Sequence, residues 1–496
     1  MKFAARHTFV GNPGYRLLPL RFRRLPWDQS RVLVTSMSGD WLIAQRNDFE
    51  RAVTGQLDPR EPLFADMESR FLISADPERA TLAPLLSQYR TRKDYLAEGP
   101  RLHIFVVSLR CHHTCAYCQV SRQALGQTAF DMSESTARHA MDRLFDQPAK
   151  TLTIEFQGGE PLLRFDRVRQ LTRLIEQRNR TEKRVLRFVI ASTLHDLTDE
   201  QLSFMRGHGF ELSTSLDGPE WLHNLNRPRL ERDSYRRTVE GIDRGRRALG
   251  DGAVSALTTL TRRSLGVPKE IIDEYRKLGF HSISLRPLSP YGFARKTDAR
   301  HGYVIGDFLK FYETALDHLL QVNREGYFLQ ETYTRMLLSL LLTPFSHGYV
   351  DLRSPTGTGL GAVVYDYDGR VYPSDEARML AAMGDRRFAL GRVDESIETW
   401  MSSPGMQLVL DAGVAEALPT CADCAYVPFC GADPIDHYAR QGDSIGHRPT
   451  SDFCRKQMGL FDTLLQRWEQ GSSVDRDILE GWALRATCRE GVLEAA

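Results

Sequence analysis

Two groups of cysteines stand out by their spacing. Cys111, Cys115 and Cys118 form C-x3-C-x2-C, and Cys421, Cys424, Cys430 and Cys454 form C-x2-C-x5-C-x23-C. No cysteine lies between Cys118 and Cys421, and the eighth, Cys488, stands alone. In a reducing compartment such compact groups read as two metal centres rather than as disulfides. Three thiolates on one tight loop can hold three irons of a [4Fe–4S] cluster and leave the fourth iron open to a substrate. The competing reading is zinc, with His112 or His113 as the fourth ligand. The four later thiolates close either a structural zinc site or a fully ligated [4Fe–4S] cluster, and spacing alone does not separate these. Cys488 reads as a small buried hydrophobe.

The elements that must position these groups follow from the apolar pattern. Runs at His103–Leu109, Leu152–Phe156, Val185–Ala191, Phe210–Leu216, Ala253–Leu260 and Ser282–Leu288 read as strands. Amphipathic stretches between them include Ser133–Phe145, Asp199–Arg206, Tyr235–Leu249 and Pro268–Leu278. Six strands with helical crossovers predict an α/β fold with a parallel sheet, open or partly closed into a barrel. Such sheets bind ligands at the carboxyl ends of their strands. The first cysteine group follows the first strand, as that rule requires. Before it, Arg31–Met37 and Asp40–Ala44 read as strands, Asn47–Thr54 and Glu61–Phe71 as helices, and Lys93–Pro100 as a linker. After residue 300 the pattern is helical to about 345, and a hairpin follows over Val363–Tyr372 with its turn near Asp368-Gly369. These shifts divide the chain at 1–92, 93–300, 301–360 and 361–496.

Composition sets the bounds. The 496 residues are too many for one ordinary domain. With 42% hydrophobic and 26% charged residues, the balance is that of a water-soluble globular protein. Lys plus Arg (65) nearly cancels Asp plus Glu (64), so charge gives no argument for a nucleic-acid or membrane partner. The start lacks the apolar core of a signal peptide, and the run Met336–Leu342 is far short of the roughly 20 residues that span a bilayer. A cytoplasmic location is the expectation.

Further motifs end the later strands. The second closes on Phe156-Gln-Gly-Gly-Glu-Pro161, and the fourth on Ser213-Thr-Ser-Leu-Asp-Gly-Pro219. His223-Asn-Leu-Asn-Arg227 and Asp233-Ser-Tyr235 come next. With C-x3-C-x-Tyr-C, this ordered set resembles the radical S-adenosylmethionine (radical SAM) superfamily, in its peptide- and protein-modifying branch. The resemblance covers roughly residues 100–290. It implies a partial (β/α)6 TIM-like barrel, and a [4Fe–4S] cluster on Cys111, Cys115 and Cys118 that cleaves S-adenosylmethionine to a carbon radical. Tyr117 joins the implied cofactor-binding set. Gln157, Gly158, Gly159 and Glu160 would line the methionine amino group and nearby backbone. Ser215 and Arg227 would hold its carboxylate, the Arg through charge-assisted hydrogen bonds. Leu288 would contact the adenosine. The family often has T-N-G after the third strand; here Thr193-Leu194-His195 stands, and only Thr193 carries over.

The segment Cys421-Ala-Asp-Cys-Ala-Tyr-Val-Pro-Phe-Cys-Gly431 resembles the C-terminal extension called SPASM, which usually holds two auxiliary clusters. One ligand set is complete in Cys421, Cys424, Cys430 and Cys454. The other falls on Ser374 and Pro434, and residues 300–420 hold no cysteine, so a single auxiliary [4Fe–4S] cluster is implied. Asp375 matches an acidic residue that accepts a proton in sulfatase-maturing enzymes. The 31–75 pattern resembles a small winged-helix-like α+β element that binds leader peptides of ribosomally made natural products by strand addition.

Together with Leu109–Arg122 and Ser374-Asp-Glu-Ala-Arg-Met-Leu380, the chain is most similar to maturases of His-Xaa-Ser-type peptide systems. The implied activity is hydrogen abstraction from an unactivated carbon of a precursor peptide, closing a thioether, a C–C bond or a cyclopropane. An electron donor such as flavodoxin or ferredoxin is the implied partner besides the peptide. The alternatives are a sulfatase-maturing-type oxidase of a protein Ser or Cys, and a zinc-binding interaction protein without catalysis.

Overall fold

The computed structural model describes residues 14–75, 82–346 and 349–489, with side chains to residue 484. The first thirteen residues, read above for a targeting signal, and the Cys488 side chain lie outside the described set.

The N-terminal element is a three-stranded antiparallel sheet of β1 (Leu20–Leu25), β2 (Asp28–Ser36) and β3 (Trp41–Gln45), in that order. β1 was not read from the sequence, because Leu20-Arg-Phe-Arg-Arg-Leu25 offers one apolar residue in two and an exposed Phe22. Helices Arg46–Val53 and Pro62–Ser69 follow where the spacing placed them. Val32, Val34, Leu42, Phe49, Phe64 and Met67 build a small core of their own.

The expected linker at 93–100 is instead packed structure. Lys93 pairs with Glu416 at 2.6 Å, and the buried Tyr95 donates its hydroxyl to the Pro355 carbonyl at 2.6 Å. Polar composition suggested a tether, but each polar head finds a partner in the distant C-terminal segment.

Strands β4 (Leu102–Ser108), β5 (Thr151–Gly158), β6 (Val185–Ala191), β7 (Phe210–Ser215), β8 (Val254–Thr259) and β9 (Leu285–Arg286) lie side by side, all parallel. Helices return between them on the outer face, so the fold is the expected TIM-like partial barrel. The amphipathic stretches became helices within a residue or two of their expected ends. Ser133 caps Glu134–Phe145, and a Thr198–Gln201 capping box starts Asp199–Gly207.

The sixth strand is broken. Ser282–Ile283 pairs with Gln330–Glu331, and only Leu285–Arg286 continues the sheet. Glu331, 1% exposed, accepts from the Leu285 and Thr334 amides and thereby fixes the break.

The hairpin expected over 363–372 does not stand apart with the C-terminal cysteines. β10 (Ala362–Tyr365) pairs parallel with β4, and β11 (Arg370–Tyr372) and β12 (Gly391–Arg392) extend the sheet antiparallel beyond it. Its apolar run Ala362-Val-Val-Tyr365, buried throughout, gains a sheet edge and a core by lying there.

His103 on β4 ties this joint together. It is fully buried, its Nε2 donates to the Pro100 carbonyl (3.1 Å), and its Nδ1 accepts from the Tyr365 hydroxyl (3.0 Å). Burial pushes it down from 6.5 to about 4. Between those values the unfolded chain takes up a proton that the folded one refuses, so stability falls with acidification. His103→Gln should flatten the urea-unfolding free energy against pH in that window, by up to about 1.4 kcal/mol per pH unit. An unchanged slope would refute the neutral, buried assignment.

Among the described residues no helix is long and apolar enough to cross a membrane.

Candidate active site

β4 delivers the chain into the first cysteine loop at the carboxyl end of the sheet. Backbone bonds hold that loop from several sides. The Cys111 amide donates to Gln123 O (3.1 Å), the Glu160 amide to Arg110 O (2.7 Å), and the Phe293 amide to Cys118 O (2.8 Å). Asp131 grips Arg110 through both carboxylate oxygens, each at 2.8 Å. Cys111, Cys115 and Cys118 line one cavity of about 350 Å³. Burial pushes the Cys111 thiol up to about 12, with Glu160 and Cys118 adding to it. Cys115 is pushed higher still by burial, with Cys118 and Cys111 beside it.

The three cysteines thus share one cavity. Among the described residues no three His, Cys, Asp or Glu side chains already meet at metal-binding distance. The fit therefore rests on the donor set: three soft sulfurs on one strand-end loop suit iron–sulfur ligation with one iron left open. His113, a candidate for a zinc tetrahedron, bonds Ser234 Oγ through Nε2 at 2.8 Å, while its Nδ1 has no hydrogen-bond partner among the described residues.

The glycines of the second motif have a reason beyond the ligand. Gly158 has φ +144°, and a Cβ there would lie 1.9 Å from Ser108 O. A Cβ on Gly159 would lie 2.3 Å from Leu109 O and 2.4 Å from Arg110 O. Both let β5 close on the root of the cysteine loop. Gly159→Ala should therefore cost roughly 1–3 kcal/mol by overpacking against backbone, read as a lowered thermal midpoint together with incomplete iron loading. Full loading at a wild-type midpoint would contradict this.

Tyr117, Gln157, Gly158, Gly159, Thr193, Ser215, Arg227 and Leu288 all line the cavity with the cysteines. Glu160 does not face it. Its carboxylate accepts from Leu162 N (3.0 Å), Ser192 Oγ (2.7 Å), Thr193 N (2.9 Å) and Thr193 Oγ1 (2.6 Å). The Glu160 carboxylate thereby holds the turn after β6. In that turn Leu194 takes φ +59° where the family often carries Asn, and Gly241 packs against its carbonyl.

Asp217, wholly buried, organises the Arg227 side. It accepts from Arg227 Nε (3.2 Å), Tyr117 OH (2.5 Å) and the Thr259 amide (3.2 Å). The Arg227 guanidinium sits 5.5 Å over the Tyr117 ring. Burial works against its charge, but Asp217, Tyr117 and Cys115 hold its proton more firmly than usual.

The opposite wall comes from the C-terminal half and was mostly missed by sequence reading. Asp375 is half-buried at the first position of the Asp375–Ala382 helix and ion-paired to Arg378 at 2.9 Å. Ser374, where the fuller SPASM pattern has a cysteine, caps that helix by accepting from the Ala377 amide. Pro434, at the other missing ligand, is the first residue of the Pro434–Gln441 helix behind an Asp433 cap. Asp351, Glu376, Asp433 and Asp436 face the same cavity, with Arg440 and Lys456 among them. Burial, then Asp351 and Asp375, pushes the Glu376 carboxyl up to about 7. No local spacing announces this cluster, since its members come from separate segments.

The second cysteine group is also brought together. Cys430 is pushed well up by burial and then by Cys424, Cys454 and Cys421. Cys454 reaches about 11 through burial, Cys424 and Cys421. Four neighbouring thiols fit a closed site, and an auxiliary [4Fe–4S] cluster is the group they fit here.

Residues 105–278 match the Radical SAM superfamily. This defines the class: the chain carries a radical SAM domain, and the protein is an enzyme that uses a [4Fe–4S] cluster and S-adenosylmethionine. Among solved structures, the fold is similar to anSMEcpe with bound AdoMet, at a TM-score of 0.63 and 16% identity, covering 76% of this chain and 100% of that one. SuiB of Streptococcus suis bound to S-adenosylmethionine aligns at a TM-score of 0.51 and 12% identity, over 87% and 98% of the two chains. An uncharacterized protein of Methanothermobacter thermautotrophicus is 27% identical over 191 residues, which is 38% of this chain and 68% of its own length.

Proposed function

We propose that the protein modifies a ribosomally made precursor peptide by hydrogen abstraction from an unactivated carbon, closing a crosslink or ring. The observation that carries this is the composite cavity, with the cysteine loop and the SAM-facing residues on one wall and Asp375 and Glu376 on the other. Cys111, Cys115 and Cys118 would hold the cluster, which when bound would supply the electron for cleaving S-adenosylmethionine. Ser215 and Arg227 would hold the methionine carboxylate, Gln157, Gly158, Gly159 and Thr193 would shape its amino end, and Leu288 would bound the adenosine. Asp375 or Glu376 would take the proton released when the product bond closes, the accompanying electron passing to the auxiliary cluster, and Glu376, near neutrality, suits that role.

The N-terminal sheet offers an edge for a leader peptide. β1 is tethered to the C-terminal half through Arg21 Nε to Ala422 O (2.6 Å) and Arg23 to Asp462 (3.0 Å). The leader would add its strand to an exposed edge of this sheet. SuiB has been solved bound to its precursor peptide SuiA, which supports a peptide substrate here. The run at 374–380 supports a His-Xaa-Ser-type precursor in particular.

A second reading, oxidation of a Ser or Cys side chain, is favoured by Asp375 facing the cavity. Incubating the reconstituted enzyme with S-adenosylmethionine, a reductant and the precursor peptide, followed by a hydrazide that traps aldehydes, separates the two, since oxidation of a Ser also removes two hydrogens but leaves an aldehyde. Ring or crosslink closure removes two hydrogens and leaves every heavy atom in place. Oxidation of a Cys substrate to an aldehyde removes its sulfur. 5′-Deoxyadenosine without any peptide mass change would contradict both.

A further inference from the structure

A second chamber lies one layer of side chains below the cavity of the first cysteine group. Along a strand, residues on one face recur at every second position, roughly 7 Å apart. The upper cavity takes Ser215 from β7, Leu257 and Thr259 from β8, and Leu288 from beyond β9. One step deeper stand Ser213 on β7, its register partner Ser255 on β8, and Ser284 just before β9. The alternate residues Leu212, Thr214, Val254 and Ala256 are buried, whereas Ser213 is half-buried and Ser255 exposed. A TIM-like barrel commonly fills such a layer with Val, Ile or Leu. Serines leave it hollow here.

The hollow is a cavity of about 310 Å³. Facing the serines, Phe308 and Tyr312 of the Ile305–Arg324 helix and Tyr333 and Met336 of the Thr332–Leu342 helix form its wall. Arg286, Tyr349, Asp351 and Lys456 line both cavities, so the two adjoin. At that join Arg286 Nη2 donates to the Tyr349 hydroxyl at 2.8 Å. The polar groups of the chamber wall are already engaged. The Tyr312 and Thr334 hydroxyls bond each other at 2.6 Å, and the Tyr333 hydroxyl accepts from Gln457 at 2.6 Å. Glu331 is taken up by the Leu285 and Thr334 amides, and Ser255 donates to Leu212 O at 3.2 Å. What the chamber offers a guest is therefore mainly ring and methyl surface. Its volume stands at the small end of ligand pockets, enough for one large side chain.

We propose that this chamber receives one large apolar side chain, aromatic or branched aliphatic, of the peptide whose backbone lies in the upper cavity. The inference rests on the peptide-modifying reading and adds a specificity determinant to it. A side chain seated between Ser255 and Met336 holds its own backbone one layer above, at the level of Ser215 and Leu288. The anchor thus selects which carbon of the peptide stands at the reacting position, and positioning of that kind is a large part of rate enhancement. Burying such a side chain is worth about ten- to a hundredfold in affinity.

M336W and S255L each fill the chamber from a different wall, and neither residue lines the upper cavity. In full-length enzyme reconstituted without oxygen, both variants should load iron and cleave S-adenosylmethionine in the absence of peptide as wild type does. Their kcat/KM for the precursor peptide should fall about ten- to a hundredfold, mainly through KM. Replacing the precursor's large apolar residues by Ala one at a time should find a position that costs wild type as much and costs the filled variants nothing further. Indole, used as a probe of the chamber, should compete with the peptide in wild type and not in M336W. Where one variant fails to load iron, the other and the wild-type indole competition decide. Wild-type kcat/KM in a filled variant, or losses that multiply at every Ala position, overturns the proposal alone. Wild-type enzyme that cleaves S-adenosylmethionine yet leaves the precursor unmodified overturns the peptide-modifying reading as well.

Discussion

Arg227→Leu is expected to abolish formation of 5′-deoxyadenosine and to lower stability by about 3–5 kcal/mol, the cost of stranding one partner of a buried ion pair. Asp217 is wholly buried and Arg227 has a side chain 13% exposed, so solvent cannot replace the lost partner. The Tyr117 ring also loses the guanidinium above it. Arg227→Lys should recover much of the stability, because a charge remains beside Asp217. It should not recover turnover, because an ammonium lacks the planar fork that holds a carboxylate while donating to another. Urea midpoints and a 5′-deoxyadenosine assay read the two effects separately. A Leu variant that unfolds at the wild-type midpoint would contradict the buried-pair assignment.

The second large effect is expected from Cys430→Ala. Burial holds the Cys430 thiol up, and Cys424, Cys454 and Cys421 add to this. Its loss should open the closed site, and iron should fall to about half. Cleavage of S-adenosylmethionine should persist, since the first cysteine loop is held by its own bonds to residues 123, 160 and 293. Peptide modification should fall sharply, because Asp433 and Asp436 line the cavity just beyond Cys430. Metal analysis and peptide mass on one sample check both halves. Loss of S-adenosylmethionine cleavage in this variant would show that the two centres are not separable.

What the sequence made legible was local. The strand runs, the helix caps at Ser133 and Thr198, and the strand-end motifs each depend on a few consecutive residues. Most therefore appeared where spacing placed them. What it hid depends on distant partners. The Ala362–Tyr365 strand reads alike whether it closes a free hairpin or joins β4, and only the edge offered by β4 decides. Lys93 looks like linker until Glu416 meets it. Glu160 sits in a ligand motif, but the hydroxyls of Ser192 and Thr193, a strand away, draw its carboxylate off the cavity. The acidic wall of Asp351, Glu376, Asp433 and Asp436 exists only once three segments fold together. By contrast, the cysteine groups stand out in the sequence because metal chemistry would fix both residue type and spacing.

The central claim is that both cysteine groups hold iron. The direct measurement is iron, sulfide and zinc per chain in protein reconstituted without oxygen. The account predicts about eight irons, matching sulfide and no zinc, as two [4Fe–4S] clusters require. Zinc without iron would contradict it and remove the radical chemistry altogether.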